Sequence, residues 1–158
     1  MTMADHEHHY TLKVTWAGNR GTGTSGYREY DRDHVISAEG KPDIAGSSDP
    51  AFRGDPARWN PEELLLASIS ACHKLWYLHF CAVSGVVVSD YVDEPEGTMV
   101  LKRDGAGHFT EVILKPVITL AKGDPQTARE LHDDAHEKCF IASSVNFPIR
   151  VEPTINTL

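Results

Sequence analysis

The segment Pro61–Val83, PEELLLASISACHKLWYLHFCAV, constrains the fold more than any other part of the chain. It contains no glycine, no proline after its first residue, and many residues that favour helices. Asn60 is placed to cap a helix, Pro61 suits the first helical position, and two glutamates follow at the positive end of the helix dipole. Because apolar residues cover nearly the whole circumference, we expect a central helix with other elements on most of its sides, ending at Gly85.

The remaining chain alternates between strand patterns and turns. Tyr10–Trp16 alternates apolar and polar residues, which predicts a half-buried strand. A second, amphipathic helix is expected over Pro125–Lys138. The expected strands are Tyr10–Trp16, Tyr27–Ile36, Val86–Val92, Gly97–Lys102, Phe109–Leu120 and Val145–Val151, followed by a loose tail. The order ββ-α-βββ-α-β predicts an α+β fold rather than alternating βαβ units.

Two loops and one proline qualify this pattern. Residues 18–26 form a glycine-rich turn between two strands, so neither a P-loop nor a dinucleotide-binding fold is indicated. Residues 37–60 form a long polar loop with three prolines, and a structureless loop of that length is often functional. Pro116 lies inside an expected strand and indicates an edge or a bulge there.

Length and charge exclude several classes of protein. A chain of 158 residues favours one domain, residues 1–158, with residues 1–9 as a mobile tail. The formal net charge of -8 disfavours a nucleic-acid partner and an anionic membrane surface. No apolar stretch reaches bilayer length, and the N-terminus lacks the features of a secretory signal, so we expect a cytoplasmic protein.

The three cysteines are an odd number without a C-x-x-C pair, so a disulfide framework is not indicated. Such cysteines are either small core residues or reactive thiols, and Cys81 fits the first description. Cys139 stands at the expected end of the second helix, beside His136 and Lys138. A helix end and nearby positive charge both lower a thiol pKa, so we expect a lowered pKa at Cys139.

Two motifs resemble those of the OsmC/Ohr family of organic hydroperoxide reductases. The first is NPEELL at residues 60–65 followed by Cys72, where the family has its peroxidatic cysteine ten residues after the glutamate. The second is AHEKC at residues 135–139, which resembles the family's second cysteine, after an alanine-rich helix. The resemblance covers roughly residues 10–153.

The resemblance implies an OsmC-like fold with antiparallel sheets packed around a long central helix. It also implies an enzyme of oxidative stress defence that reduces organic hydroperoxides through a Cys72 sulfenic acid and a Cys72–Cys139 disulfide. A lipoyl-type dithiol would restore the thiols, and neither a metal nor an organic cofactor is expected. Apolar side chains expected around the pocket are Leu65, Ile69, Trp76 and Phe140.

The family also uses an arginine to activate its first thiol. A thiol of ordinary pKa, about 8.5, is only about 3% thiolate at pH 7, so a neighbouring guanidinium favours the reactive form. Arg53, in the loop leading to the helix, resembles the OsmC-type placement, and Arg20, in the glycine-rich turn, resembles the Ohr-type placement. We favour Arg53 and keep Arg20 as the alternative. Glu62 would then orient Arg53 rather than act as a base.

Helix geometry adds a constraint on this site. Ten residues of α-helix span about 15 Å, so Glu62 and Cys72 cannot touch on one straight helix. If both serve one site, either the helix is broken or the pocket forms between two chains. The apolar circumference favours the second choice, an intertwined homodimer.

Two positions depart from the family pattern and indicate a side branch: His73, where an apolar or aromatic residue is usual, and Phe140, where proline is common. The competing functions are a metal-binding and a small-ligand-binding OsmC-like domain without peroxidase activity. Histidines that could favour a metal are His6, His8, His9, His73 and His79. Those on the helix point in different directions, which disfavours a shared metal.

Overall fold

The computed structural model describes residues 4–158 and divides into two compact units, one ending at Leu64 and the other running Leu65–Leu158. The helices are α1 (Pro61–Val83) and α2 (Pro125–Lys138). The strands are β1 (Lys13–Trp16), β2 (His34–Ser37), β3 (Ile44–Gly46), β4 (Val87–Asp93), β5 (Glu96–Leu101), β6 (Gly107–Leu114), β7 (Pro116–Lys122), β8 (Ile149–Val151) and β9 (Thr154–Thr157). The expected α+β class is confirmed. The single domain stays a prediction.

The first unit contains an antiparallel sheet in the order β1-β2-β3. All four residues of β1 are exposed, with Val14 at 59%, so the expected half-buried strand is wrong. Alternation predicts a strand but does not say what covers it. Residues 4–9, part of the expected tail, are exposed and lack regular structure, whereas residues 1–3 lie outside the described range.

The long loop of this unit is not structureless. It contains β3 and a 3-10 turn, Pro50–Phe52. Trp59 donates its backbone N–H to Ala45 and accepts from the N–H of Ser47, which ties the loop to β3. Such pairing between distant residues has no local sequence signal.

The second unit contains two sheets, β4-β7-β9 and β5-β6-β8. Each combines one antiparallel pair with one parallel pair, so the sheets are mixed rather than purely antiparallel. The strand expected over Phe109–Leu120 is divided at Lys115, because β6 and β7 belong to different sheets. The N–H of Lys115 donates to Asp93 Oδ1 at 2.7 Å instead of entering a ladder. Pro116 then begins β7, a position that needs no ladder donor.

The C-terminal strands also differ from expectation. The strand expected over Val145–Val151 begins only at Ile149, since a 3-10 turn (Ala142–Ser144) and Pro148, which has no N–H, precede it. The expected loose tail is wrong, because β9 pairs in parallel with β7.

Both ends of α1 follow the sequence signals. Asn60 Oδ1 accepts from the N–H of Glu63 at 2.8 Å, and Asn60 Nδ2 donates to Glu63 Oε1 at 2.9 Å, a reciprocal cap. Gly85 follows the helix with a φ of 72°, a conformation that suits glycine.

One stripe of α1, at every fourth residue, is fully buried: Ile69, His73, Tyr77 and Cys81. Ile69 packs with Val112 and Leu114 of the β5-β6-β8 sheet. Tyr77 and Cys81 belong to a second core with Val86, Ile118, Leu120, Ala128, Leu131 and Ala135, which joins the helix to the β4-β7-β9 sheet and to α2. The expected cover on most sides of α1 is confirmed, and one face, which includes Leu75 at 63% exposure, remains open in this single chain.

The second helix is held by a cap and by an apolar face. Asp124 accepts from the N–H of Thr127 at 2.8 Å, and the buried residues of α2 are Ala128, Leu131, His132 and Ala135. Neither helix in the described range is long and apolar enough to cross a membrane.

Candidate functional site

The second unit brings two of the predicted site residues together. Cys72 lies half-buried on α1, and Cys139 caps the C-terminal end of α2 with an exposed fraction of only 1%. The two thiols are near neighbours, since Cys72 contributes to the raised pKa of Cys139. Two thiols in this arrangement can be oxidised to one disulfide between them.

The environment of Cys139 favours its neutral form. Burial, aided by the neighbouring Cys72 thiol, raises the pKa of Cys139 to about 11. The N–H of Ala142, 3.4 Å from Cys139 Sγ, opposes this only in part. The expectation of a lowered pKa is therefore wrong, because Cys139 is buried and lies at the C-terminal, negative end of the α2 dipole, which does not stabilise a thiolate. A neutral buried thiol suits the second partner in a disulfide better than the first nucleophile.

Cys81 lies in the second core and is almost fully buried. Burial raises its pKa, and its neighbour is the Tyr77 hydroxyl, which donates to the carbonyl of Ala128. The expectation that Cys81 is a core residue is confirmed.

An apolar depression of about 300 Å³ on α1 is lined by Leu75, Trp76, His79 and Phe140. The first three follow Cys72 by three, four and seven residues, which places them on its face of the helix. The Trp76 and Phe140 rings meet edge to face, with centroids 5.4 Å apart. Two of the four expected lining residues therefore line it. Leu65 and Ile69 belong to the core with Val112 instead.

Arg53 and Glu62 lie in the first unit. Arg53 has a φ of 66°, the only positive φ of a non-glycine residue among residues 4–158. It ends the 3-10 turn by donating its N–H to Pro50 at 3.0 Å, and its guanidinium carbon lies 5.9 Å from the centre of the Tyr27 ring. Glu62 Oε2 is buried without a hydrogen-bond partner in the described chain. Within the same residues of one chain Arg53 and Glu62 form no ion pair, so the expected orienting contact stays a prediction.

Arg20, the alternative cation, is engaged within its own turn. Its Nε lies 3.6 Å from Asp31 Oδ1, and its Nη2 donates to the carbonyl of Arg28. A guanidinium held by a carboxylate and a carbonyl is less available to a thiolate than one without an ion pair.

A pair of buried histidines is the feature that sequence reasoning missed. His73 Nε2 and His132 Nδ1 lie 2.9 Å apart, with the rings within 4° of parallel. Burial lowers the pKa of His73 to about 4, aided by His136, and lowers that of His132 to about 3, aided by His73 and Arg129. His73 stands out as a family departure, but nothing pointed to His132. No group of three or more His, Cys, Asp or Glu side chains in residues 4–158 could hold a metal.

Two mixed three-stranded sheets pack against the long helix α1. One thiol lies on the face of α1, and a neighbouring thiol lies at the end of α2. This arrangement defines an α+β protein with a pair of neighbouring cysteines. Residues 54–154 match the OsmC-like protein family, and the chain belongs to that family, as its motifs predicted. The uncharacterized protein YmaD of Bacillus subtilis is 26% identical over 160 residues, 97% of each chain. The structure of the OsmC-like protein VCA0330 from Vibrio cholerae is 28% identical with a TM-score of 0.82, over 93% of this chain and 99% of that one. OhrB of Bacillus subtilis, an organic hydroperoxide resistance protein, is 22% identical with a TM-score of 0.58, over 92% and 98%.

Proposed function

We propose that this protein is a thiol peroxidase that reduces organic hydroperoxides to alcohols. Cys72 is the attacking thiol and Cys139 the resolving thiol. The observation that carries the proposal is the proximity of the two thiols, since it pairs a half-buried thiol with a fully buried one. Relatives of the same fold, OhrB of Bacillus subtilis and a protein of Elizabethkingia anophelis, are named organic hydroperoxide resistance proteins.

The reaction needs only the two thiols and a reductant. The Cys72 thiolate attacks one peroxide oxygen, the O–O bond breaks, and the departing alkoxide takes a proton to give the alcohol. The sulfenic acid then condenses with the neutral Cys139 thiol, which forms the disulfide and releases water that carries the thiol proton. A dithiol of lipoyl type reduces the disulfide and is itself oxidised to a cyclic disulfide.

Arg53 is the cation that holds Cys72 as a thiolate in this proposal. A non-glycine residue in the left-handed region costs on the order of 1–2 kcal/mol, and such strain is concentrated at functional sites. Glu62 keeps a buried carboxylate oxygen that a guanidinium would satisfy. Arg20 already has Asp31 as a partner.

The site is completed by a second copy of the chain. Because α1 is unbroken from Pro61 to Val83, Glu62 and Cys72 of one chain are separated by about 15 Å of helix. A symmetric dimer resolves this separation, since each copy offers Arg53 and Glu62 to the Cys72 of the other. The exposed Leu75 supports an apolar interface along α1.

Thiol counting after one equivalent of cumene hydroperoxide tests the peroxidase. We expect rapid loss of two of the three thiols, one equivalent of cumyl alcohol, and a Cys72–Cys139 disulfide in the peptide map. Cys81→Ala is the matched control, since it starts with one thiol fewer and should lose two at the same rate. Slow, equal loss of all three thiols would exclude the peroxidase and leave a small-ligand-binding domain.

A further inference from the structure

The His73–His132 pair joins the two helices that carry the thiols, and the proposed chemistry does not use it. On α1, His73 directly follows Cys72. On α2, His132 precedes Cys139 by seven residues, about two turns, so both lie on nearly the same face. One hydrogen bond between the helices therefore lies next to the place where Cys139 must reach Cys72.

We propose that His73 and His132 are positioning residues that fix α1 against α2, and that they control formation of the Cys72–Cys139 disulfide rather than attack on the peroxide. The predicted effect on the rate of disulfide formation rests on the proposed function. The predicted effect of the histidines on the relative position of the two thiols does not depend on peroxidase activity.

The geometry makes this contact directional. Both side chains are buried, at 1% and 2% exposure, and the bond needs one ring to donate and the other to accept. The Tyr77 ring stacks on His132 with centroids 3.8 Å apart, and its hydroxyl donates to the carbonyl of Ala128. These contacts fix the plane of the His132 ring, so the N–H···N bond forms in only one relative position of α1 and α2. Apolar packing alone tolerates several relative positions of two helices.

The two ring nitrogens that do not take part in the His73–His132 hydrogen bond indicate that the pair orients the helices more than it stabilises the fold. His73 Nδ1 and His132 Nε2 are buried without a hydrogen-bond partner in the described part of the chain. Either tautomer leaves one buried N–H unpaired, which carries a desolvation cost. Two aromatic rings of similar size would fill the same space without that cost.

Stopped-flow thiol oxidation separates the two steps. In His132→Leu we expect Cys72 to be oxidised within twofold of the wild-type rate. Disulfide formation should slow at least tenfold, with sulfenic acid accumulating and trapped by dimedone. His132→Asn keeps a polar atom near the position of Nδ1 and should recover most of the rate. Equal slowing of both steps, or no slowing, would overturn the inference.

A second variant guards against misfolding. His73→Phe/His132→Phe removes both buried imidazoles and so leaves no buried ring nitrogen without a partner, and we expect this variant to unfold cooperatively on heating. Although folded, it should form the disulfide at least tenfold more slowly than the wild type. A wild-type rate in this variant would mean that the histidines only fill space in the core.

The glutathione redox equilibrium tests the placement without peroxide. We expect His132→Leu and the double Phe variant to lower the equilibrium constant for the Cys72–Cys139 disulfide at least tenfold, and His132→Asn to change it less than threefold. A wild-type protein that fails to react with peroxide, with this shift intact, would remove the proposed function and keep the positioning role. An unshifted equilibrium would overturn the inference.

Discussion

Chains carrying Arg53→Ala and chains carrying Cys72→Ser, expressed together, should recover about one quarter of wild-type peroxide reduction, since half of randomly formed dimers are mixed and each has one intact site of two. Each variant alone should be at least about a hundredfold slower. Cys72→Ser removes the nucleophile. Arg53→Ala removes the guanidinium that stabilises charge at the reacting sulfur, an effect typically worth about a hundredfold or more.

The recovery depends on which chain supplies the cation. In a mixed dimer, the chain with Arg53→Ala keeps Cys72 and receives the intact Arg53 of its partner. If Arg53 acted on the Cys72 of its own chain, a mixed dimer would contain no complete site, because one chain lacks Arg53 and the other lacks Cys72. The measurement is the initial rate with cumene hydroperoxide and a dithiol reductant, with sedimentation of the same sample to count chains.

Arg20→Ala provides the matched control, because Arg20 is bonded to Asp31 and to the carbonyl of Arg28 within its own turn. Alone it should keep a rate within about threefold of the wild type, since its charge is already paired. A slow Arg20→Ala with a fast Arg53→Ala would transfer the role to Arg20. A mixed sample no faster than its inactive components, or one that sediments as a monomer, would contradict the shared site.

The helices could be predicted closely because their signals are local. Asn60 and Asp124 cap the following turns by hydrogen bonds to residues three positions away, and Gly85 ends α1. The strand pairings could not, because β3 and β9 are short, and β9 gains its partner β7 from a distant part of the chain. A pattern of alternation also carries no information on parallel or antiparallel neighbours.

The candidate site divides in the same way. Resemblance to a family motif singled out Cys72 and Cys139, and the fold places them close together. The pKa of Cys139 was predicted in the wrong direction, because its sequence neighbours are charged whereas its spatial neighbours bury it. His132 was missed since a histidine in an amphipathic helix has no sequence signature until its partner on another helix is known.

Acid should destabilise the fold through the two buried histidines. Their folded pKa values, about 4 for His73 and about 3 for His132, lie below the unfolded value of 6.5, so the unfolded chain binds protons first. The stabilisation is complete above pH 6.5 and is lost as the pH falls from there towards the folded values. Between pH 7.5 and pH 5 each histidine should remove about 2 kcal/mol from the free energy of unfolding, or about 4 kcal/mol together.

The charged and titratable groups around the pair act in the same direction. His136 and Arg129, both on α2, oppose protonation of His73 and His132 respectively, and the stacked Tyr77 is neutral throughout this range. Urea unfolding at pH 7.5 and pH 5 measures the loss, and His73→Phe/His132→Phe subtracts the contributions of the other titrating groups. Because carboxylates titrate mainly below this window, the double variant should lose most of the pH dependence. An equal loss of unfolding free energy between pH 7.5 and pH 5 in the wild type and the double variant would mean that the imidazoles are charged, or solvated, in the folded state.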